Sequence, residues 1–177
     1  MKFFLSFALL LVVCSAAAQT VPHLKKYDIS DSKFRIYLPS APDPVSMEYS
    51  PDSAKVYTIE ALDSSQNKYF HFGAIVVTGL SLDNEIKEEM LISYMDYLKT
   101  SIGIESSIGY GKGHTLSTHA SAVGVIDYWK DKDGDEWKVK GWIDNNSIVV
   151  MFIYGPGEYP IASIPEIFFA GIRFPED

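Results

Sequence analysis

Four acidic side chains surround one glycine and form the most obvious candidate for metal chemistry. They are Asp131, Asp133, Asp135 and Glu136, on either side of Gly134. Oxygen ligands at alternating positions open the loops that bind calcium, but such loops need glycine at position six and a bidentate glutamate at position twelve. Glu136 and Trp142 occupy those positions here. A solvated hairpin tip is therefore favoured, calcium binding stays an open alternative, and no metal ligand is assigned.

A glycine-rich stretch and the histidines are the next candidates for chemistry. Gly109, Gly111 and Gly113 precede His114, but they follow a predicted helix, whereas a phosphate-binding loop leads from a strand into a helix. The spacing of His114 and His119 puts them on opposite faces of a strand, which disfavours joint metal binding. No nucleophile-elbow motif occurs. We therefore expect a non-catalytic protein without a cofactor, and keep a hydrolase as an alternative.

Aromatic and basic side chains crowd one predicted hairpin and could form a binding surface. A partly open aromatic sheet face can bind a ligand or a partner. If helices cover the sheet instead, the same rings are core. We expect most of the rings to be core, with Trp129 as the exposed exception and anchor. The predicted partner-binding residues are Trp129, Lys138, Lys140 and Trp142.

Three consecutive antiparallel strands are predicted to position that surface. They span Ala122–Lys130, Glu136–Asp144 and Ser147–Tyr154. Asp133-Gly134 and Asn145-Asn146 separate them, and both dipeptides tolerate the positive φ angles of tight turns. The third strand is continuously apolar, which is typical of a central strand buried on both faces.

The register of the first two strands decides which side chains share a face. A turn centred on Asp133-Gly134 sets Trp129 opposite Lys138, which pairs an aromatic ring with a cation. It also places Trp129 on one face with Lys138 and Lys140. This register predicts an exposed Trp129 flanked by two lysines.

Hydrophobic periodicity predicts an α+β fold around the meander. One long helix, Asp83–Ile102, begins at the N-cap Asp83 and ends at Gly103. Its sheet-facing residues are predicted to be Ile86, Met90, Leu91, Tyr94, Leu98 and Ile102. Earlier strands are predicted at Phe34–Leu38, Val45–Tyr49, Lys55–Leu62 and Tyr69–Val77. A glycine-rich connection (Ile104–Ser117), a second helix (Ile161–Phe169) and an extended end (Gly171–Phe174) complete the chain.

The overall charge narrows the range of partners. The 177 residues carry a formal charge of −8, and removal of a leader containing Lys2 makes the chain one unit more negative. An acidic surface argues against nucleic acid and against anionic membranes as partners. The length predicts one domain with a sizeable core.

The first eighteen residues are predicted to be a signal peptide. Lys2 supplies its positive start, Phe3–Val13 its apolar region, and Ala16-Ala17-Ala18 its cleavage site. The apolar region is too short to span a bilayer. A mobile lead-in (19–26) and a single domain (27–177) are expected to follow. Lipidation at Cys14 is an alternative disfavoured by the bulky Val13, and cleavage after Ala18 leaves no cysteine for a disulfide or thiolate site.

The element order resembles the PsbP/Mog1-like family over Tyr27 to Phe174. The similarity rests on the Phe-x-Ile-x-Leu-Pro opening at Phe34–Pro39, the amphipathic helix before a meander, and the Gly171–Phe174 close. The resemblance implies an α/β/α sandwich with a central antiparallel sheet. It also implies a binding or assembly protein, because known members act in those roles and no catalytic motif accompanies the fold.

The expected function is that of an exported, non-catalytic binding protein, periplasmic or secreted, that contacts a protein partner. The alternative is a carrier of a small molecule or lipid, with a pocket between the long helix and the sheet. The partner, the ligand and the oligomeric state stay open.

Overall fold

A computed structural model describes residues 23–65, 67–82 and 86–175. The strands are β1 (Lys25–Asp28), β2 (Arg35–Leu38), β3 (Ser46–Tyr49), β4 (Lys55–Ser65), β5 (Lys68–Thr78), β6 (Ile104–Ser107), β7 (Gly111–Leu116), β8 (His119–Asp131), β9 (Glu136–Ile143) and β10 (Ser147–Gly155). The helices are α1 (Lys87–Ile102) and α2 (Ser163–Ala170), and a 3₁₀ turn spans Ser30–Ser32. The predicted α+β class, mostly antiparallel sheet with two helices, is confirmed.

One large antiparallel sheet organises the chain. Its strands run in the order β3-β4-β5-β10-β9-β8-β6, and β7 also pairs with β8. The predicted meander is confirmed, because β9 pairs with both β8 and β10. The apolar strand β10 lies between β5 and β9 and is almost entirely buried, as the continuous run of β-branched and aromatic residues predicts.

The predicted register of β8 against β9 is wrong by one residue. Trp129 pairs with Trp137, and Lys138 pairs with Tyr128. The backbone N–H of Asp131 donates to the carbonyl of Asp135, so the loop between them has three residues and ends with Gly134 at a φ of 88°. Such a loop, closed by a left-handed glycine, is a common alternative to the two-residue turn. The extra residue moves every predicted pair by one position and therefore moves Trp129 to the other face.

Helix α1 covers one face of the sheet. Leu91, Met95 and Leu98 are buried in the same cluster as Val139. The helix packs closely against Gly141, where a Cβ atom would lie only 2.8 Å from Leu91 Cδ1. The predicted face of the helix is partly wrong: Ile86 and Met90 are exposed, whereas Met95 is buried. Gly103, in the left-handed conformation, ends the helix as predicted, and Asp83, the predicted N-cap, lies outside the described residues.

The opposite face is covered by α2 and by the β1–β2 hairpin. Phe168 and Phe169 share a buried cluster with Ile36 and Leu38. The C-terminal segment joins this layer through a pair of backbone hydrogen bonds between Arg35 and Arg173. The sheet is thus covered by different elements on its two faces.

Two segments differ from their predicted structure. Strand β1 begins within the predicted mobile lead-in, with Lys25 and Lys26 paired to β2. The predicted glycine-rich connection contains two strands, β6 and β7. Both pair with β8 through irregular registers, which explains why no alternation is visible in the sequence. No helix in the described part of the chain is long and apolar enough to cross a membrane.

Candidate functional site

The sheet separates the four predicted binding residues. Lys138, Lys140 and Trp142 alternate along β9 and face α2, whereas Trp129 faces α1. The exposed fraction of Trp129 is only 3%. The prediction of an exposed Trp129 beside Lys138 and Lys140 is therefore wrong, and the one-residue register shift is the reason.

Trp129 belongs to a buried polar network beneath α1. Its Nε1 donates to Asp127 Oδ2 at 2.7 Å, and Lys99 Nζ lies 3.0 Å from the same oxygen. Asp127 also accepts the backbone N–H groups of Gly109 and Tyr128. A buried carboxylate needs this many donors to be stable. The network is fully paired and is therefore structural.

Trp137 and Trp142 are core residues, as predicted for most of these rings. Both are buried. Gly124 lies opposite Trp142 and makes room for it, since a Cβ on this glycine would lie 2.3 Å from Cζ3 of the indole ring. The Nε1 donor of Trp142 is buried and has no hydrogen-bond partner among the described residues.

A cleft lies on the α2 face of the meander. Tyr128, Lys138 and Ile153 form its floor, one on each of three neighbouring strands. Ile108, after β6, lies on one side, and Glu166 of α2 lies on the other. The cleft, called the α2 cleft below, has a volume of about 600 Å³. Tyr128 is 42% exposed and Ile108 is 83% exposed, so the cleft presents apolar surface to solvent.

An ion pair joins the floor of the α2 cleft to its wall. Lys138 Nζ lies 2.8 Å from Glu166 Oε1 and within 5.9 Å of the ring centroids of Tyr128 and Phe169. The two partners differ in burial: the exposed fraction is 24% for the Lys138 side chain and 72% for the Glu166 side chain. The hydrogen bond and positive charge of Lys138 lower the pKa of the Glu166 carboxyl.

Lys140 is the second cation on this face. Its ammonium lies 4.7 Å from the ring centroid of Trp142, and it forms no ion pair with any described residue. Burial and, less strongly, repulsion by Lys138 lower its pKa, and the attraction of Glu166 opposes this shift without cancelling it. Burial and Lys140 likewise lower the pKa of His114 on β7. This end of the face holds more positive charge than its single carboxylate neutralises.

Asp131 is the acidic residue whose side chain stabilises the turn at Gly134. Asp131 Oδ1 accepts the backbone N–H groups of Asp133 and Asp135, and Oδ2 accepts the Trp137 indole N–H at 2.8 Å. Within the described ranges, no group of three or more histidine, cysteine or acidic residues could hold a metal ion. Burial and the charges of Asp131 and Asp133 raise the pKa of Asp135.

His119 and His71 have hydrogen-bond partners away from the α2 cleft. His119 Nε2 lies 3.0 Å from Asp144 Oδ2 and 3.1 Å from Ser121 Oγ. A catalytic triad needs the acid and the hydroxyl on different ring nitrogens, so this cluster is not arranged as one. His71 contacts Glu60 and stacks on Tyr154, an arrangement that cross-strand pairing alone creates.

The predicted pocket between the long helix and the sheet is not where the cleft lies. Leu91 and Met95 pack directly over Gly141, whereas the α2 cleft is on the opposite face. Sequence reasoning missed Glu166 and Ile108 as cleft residues. No local signal marks either of them, because both reach the site through the placement of α2 and β6.

Comparison with known proteins identifies no relative of this chain. No family model, no curated protein and no solved structure matches the chain. The α2 cleft therefore has to be interpreted from its own chemistry.

Proposed function

We propose that the protein is an exported, non-catalytic binding protein and that its binding site is the α2 cleft. The observation that carries this proposal is a concave site of about 600 Å³ with an exposed tyrosine and a lysine on its floor. Small-molecule sites span roughly 300–1,000 Å³ and combine apolar walls with a few polar groups. A compact ligand fits this description best.

The side chains that line the cleft suit an amphipathic ligand. Tyr128 offers a half-exposed ring and Ile108 an almost fully exposed aliphatic side chain. Covering these groups removes apolar surface from water, which favours binding. Lys138 and Glu166 supply polar contacts that can orient the ligand. The cleft thus combines an apolar contribution to affinity with a polar contribution to specificity.

The non-catalytic part of the proposal rests on what faces the cleft. Ser106 and Ser107 are the serine residues that line it, and the described histidines with hydrogen bonds, His71 and His119, form them elsewhere. Activation of a serine needs a base within hydrogen-bond reach. A fluorophosphonate probe is therefore expected to leave the protein unlabelled.

The PsbP/Mog1-like α/β/α sandwich is the proposed fold family. It is supported by an antiparallel sheet with α1 on one face and α2 on the other. The order of the elements supports it too, from β2 ending before Pro39 to the segment after α2. Export is proposed from the leader-like composition of the first eighteen residues.

The test of the cleft uses a neutral aromatic probe, phenylnaphthylamine, whose fluorescence rises in an apolar site. Wild-type protein should bind it saturably. Tyr128→Ala should weaken binding about tenfold, because an aromatic contact of this size contributes about 1.5 kcal/mol. Tyr97→Ala removes a tyrosine that is also exposed but lies on α1, and it should have no effect. Absence of saturable binding, or an equal effect of both variants, would refute the α2 cleft as the site.

A protein partner is the second candidate, and Ile108 is the observation that favours it. This side chain is 83% exposed beside the edge strand β6, and open strand edges can pair with an added strand. A pull-down from envelope extract should then retain a partner that Ile108→Glu loses. Met47→Glu, on the opposite edge strand β3, is the control. Equal retention by all three proteins would exclude this edge as the contact.

A further inference from the structure

We propose that the α2 cleft selects ligands with an anionic head group, a carboxylate or a phosphate, held by Lys138 on its floor and by Lys140, which follows on the same face of β9 just outside the cleft lining. The inference rests on the proposed function and specifies the ligand class of the same site. In this arrangement the head group replaces the Glu166 carboxylate on Lys138. The apolar part of the ligand then lies against Tyr128 and Ile108.

The two lysines form a preformed cationic pair. They are two positions apart on β9, so both side chains leave the same face of the sheet. Both are partly buried, which fixes their position better than that of surface lysines. The charged or titratable groups that face them are His114 from β7 and Glu166 from α2. One carboxylate therefore serves two ammonium groups.

Glu166 is the exchangeable member of this cluster. Its side chain is mostly exposed on a two-turn helix, whereas Lys138 is held on the sheet between two aromatic rings. Ion pairs with such an exposed partner contribute little to stability, because solvent screens them. A ligand anion that also reaches Lys140 contacts a second ammonium group, which forms no ion pair with any described residue. Exchange of one carboxylate for a ligand anion therefore leaves no buried charge unpaired.

A further donor lies under Lys140. The ammonium lies over the ring of Trp142, and the indole Nε1 of this residue is buried without an acceptor among the described residues. Buried donors in native proteins are almost always paired. Because Trp142 is only 1% exposed, this donor is not open to a ligand, and the contacts available to a head group here are those of the lysine ammonium groups.

The charges along the cleft give the ligand a direction. Glu136 and Glu158 line the end next to the β8–β9 turn, and Lys140 lies four residues further along β9, about 13 Å away at strand spacing. Lys130 pairs in register with Glu136 at the acidic end. The head group is thus expected at the Lys138–Lys140 end, away from Glu158.

The test compares two probes that differ by one anionic group, anilinonaphthalene sulfonate and the neutral phenylnaphthylamine. Wild-type protein should bind the sulfonate more tightly. Glu166→Gln frees Lys138 and should tighten sulfonate binding about threefold, while Lys138→Gln should weaken it about tenfold, the effect of one charge-assisted hydrogen bond. In both variants the change in sulfonate affinity should exceed the change in neutral-probe affinity, because only the sulfonate carries the charge. Lys112→Gln removes an exposed lysine that pairs with Glu88 and should change neither affinity.

The outcomes separate this inference from the proposed function. Binding of the neutral probe with no preference for the sulfonate, or no gain in Glu166→Gln, refutes the anionic site and leaves the cleft standing. Binding of neither probe refutes both. Glu166→Gln replaces an exposed side chain and should fold normally. A gain of affinity in this variant can therefore be attributed to the site itself. Competition by decanoate identifies a carboxylate ligand and competition by decyl phosphate a phosphate ligand; failure of both to compete also refutes the anionic site.

Discussion

Tyr128 and Trp129 are neighbours on β8, and the alternation of a strand sends their rings to opposite faces of the sheet. Tyr128 faces the α2 cleft and is half exposed, whereas Trp129 is buried beneath α1 and bonded to Asp127. Side-chain type alone does not distinguish them. Only the pairing of β8 with β9 assigns one ring to binding and the other to stability.

This assignment predicts unequal costs of truncation. Trp129→Ala should lower the free energy of unfolding by about 3 kcal/mol, because it leaves a large cavity and removes a donor from a buried carboxylate. Tyr128→Ala should lower it by less than about 1 kcal/mol. Urea denaturation measures both values. Similar losses in the two variants would contradict the observed register.

A second prediction concerns the cation of the same network. Lys99→Met should cost about 2 kcal/mol, because Asp127 is fully buried and loses its charged partner. Lys112→Met removes an ion pair between more exposed side chains and should cost less than about 1 kcal/mol. The comparison is made by urea denaturation of the two variants. If Lys99→Met left the free energy of unfolding unchanged, the network would contribute nothing to stability.

At the scale of elements, the β8–β9 hairpin shows how far sequence reasoning reaches. Strand positions and the turn at Gly134 were predictable, because alternation and turn residues act locally. The register was not, because it depends on whether the loop has two or three residues, and Asp-Gly is compatible with both. The side chain of Asp131, which bonds two loop amides, decides between them.

The turn therefore depends on one acid more than on its neighbours. Asp131→Ala leaves the Trp137 indole N–H and two loop amides without their acceptor, and should cost about 2 kcal/mol. Asp133→Ala should change the free energy of unfolding by no more than about 0.5 kcal/mol, since that side chain is exposed. Thermal unfolding with and without calcium completes the test. A calcium-dependent rise in melting temperature would identify the turn as an ion site after all.

The α2 cleft could be predicted only in part. Lys138 and Lys140 stand out as charged residues in an aromatic strand, and the α2 helix is visible as an apolar segment. The contact between Lys138 and Glu166 joins residues far apart in the chain, and no local pattern encodes it. The face that Trp129 occupies follows from the register of β8 against β9, which the sequence left undecided.

At the scale of the whole molecule, the chain combines a negative net charge with a pair of lysines on the α2 face of β9. A net charge of −8 repels anions at long range, and screening at physiological salt limits this repulsion to about 8 Å. Short-range contacts with Lys138 and Lys140 can therefore decide binding. Raising the salt concentration is expected to weaken anion binding only modestly.

The first eighteen residues are predicted to direct export and to be removed by cleavage after Ala18. The mature protein should begin at Gln19 by mass spectrometry, and Ala18→Leu should retain the precursor because the cleavage site needs small residues. Cys14→Ser should be processed normally. Loss of processing or of membrane association in Cys14→Ser would indicate the lipoprotein route instead.

The most direct test of the central claim is a nuclear magnetic resonance titration of the protein with phenylnaphthylamine. Backbone amide signals of Tyr128, Lys138 and Ile153 should shift saturably, because these residues form the floor of the α2 cleft. Signals of Leu91 and Met95, on the buried face of α1, should stay in place. Shifts confined to α1 and the sheet beneath it would contradict the claim and place the binding site on the opposite face.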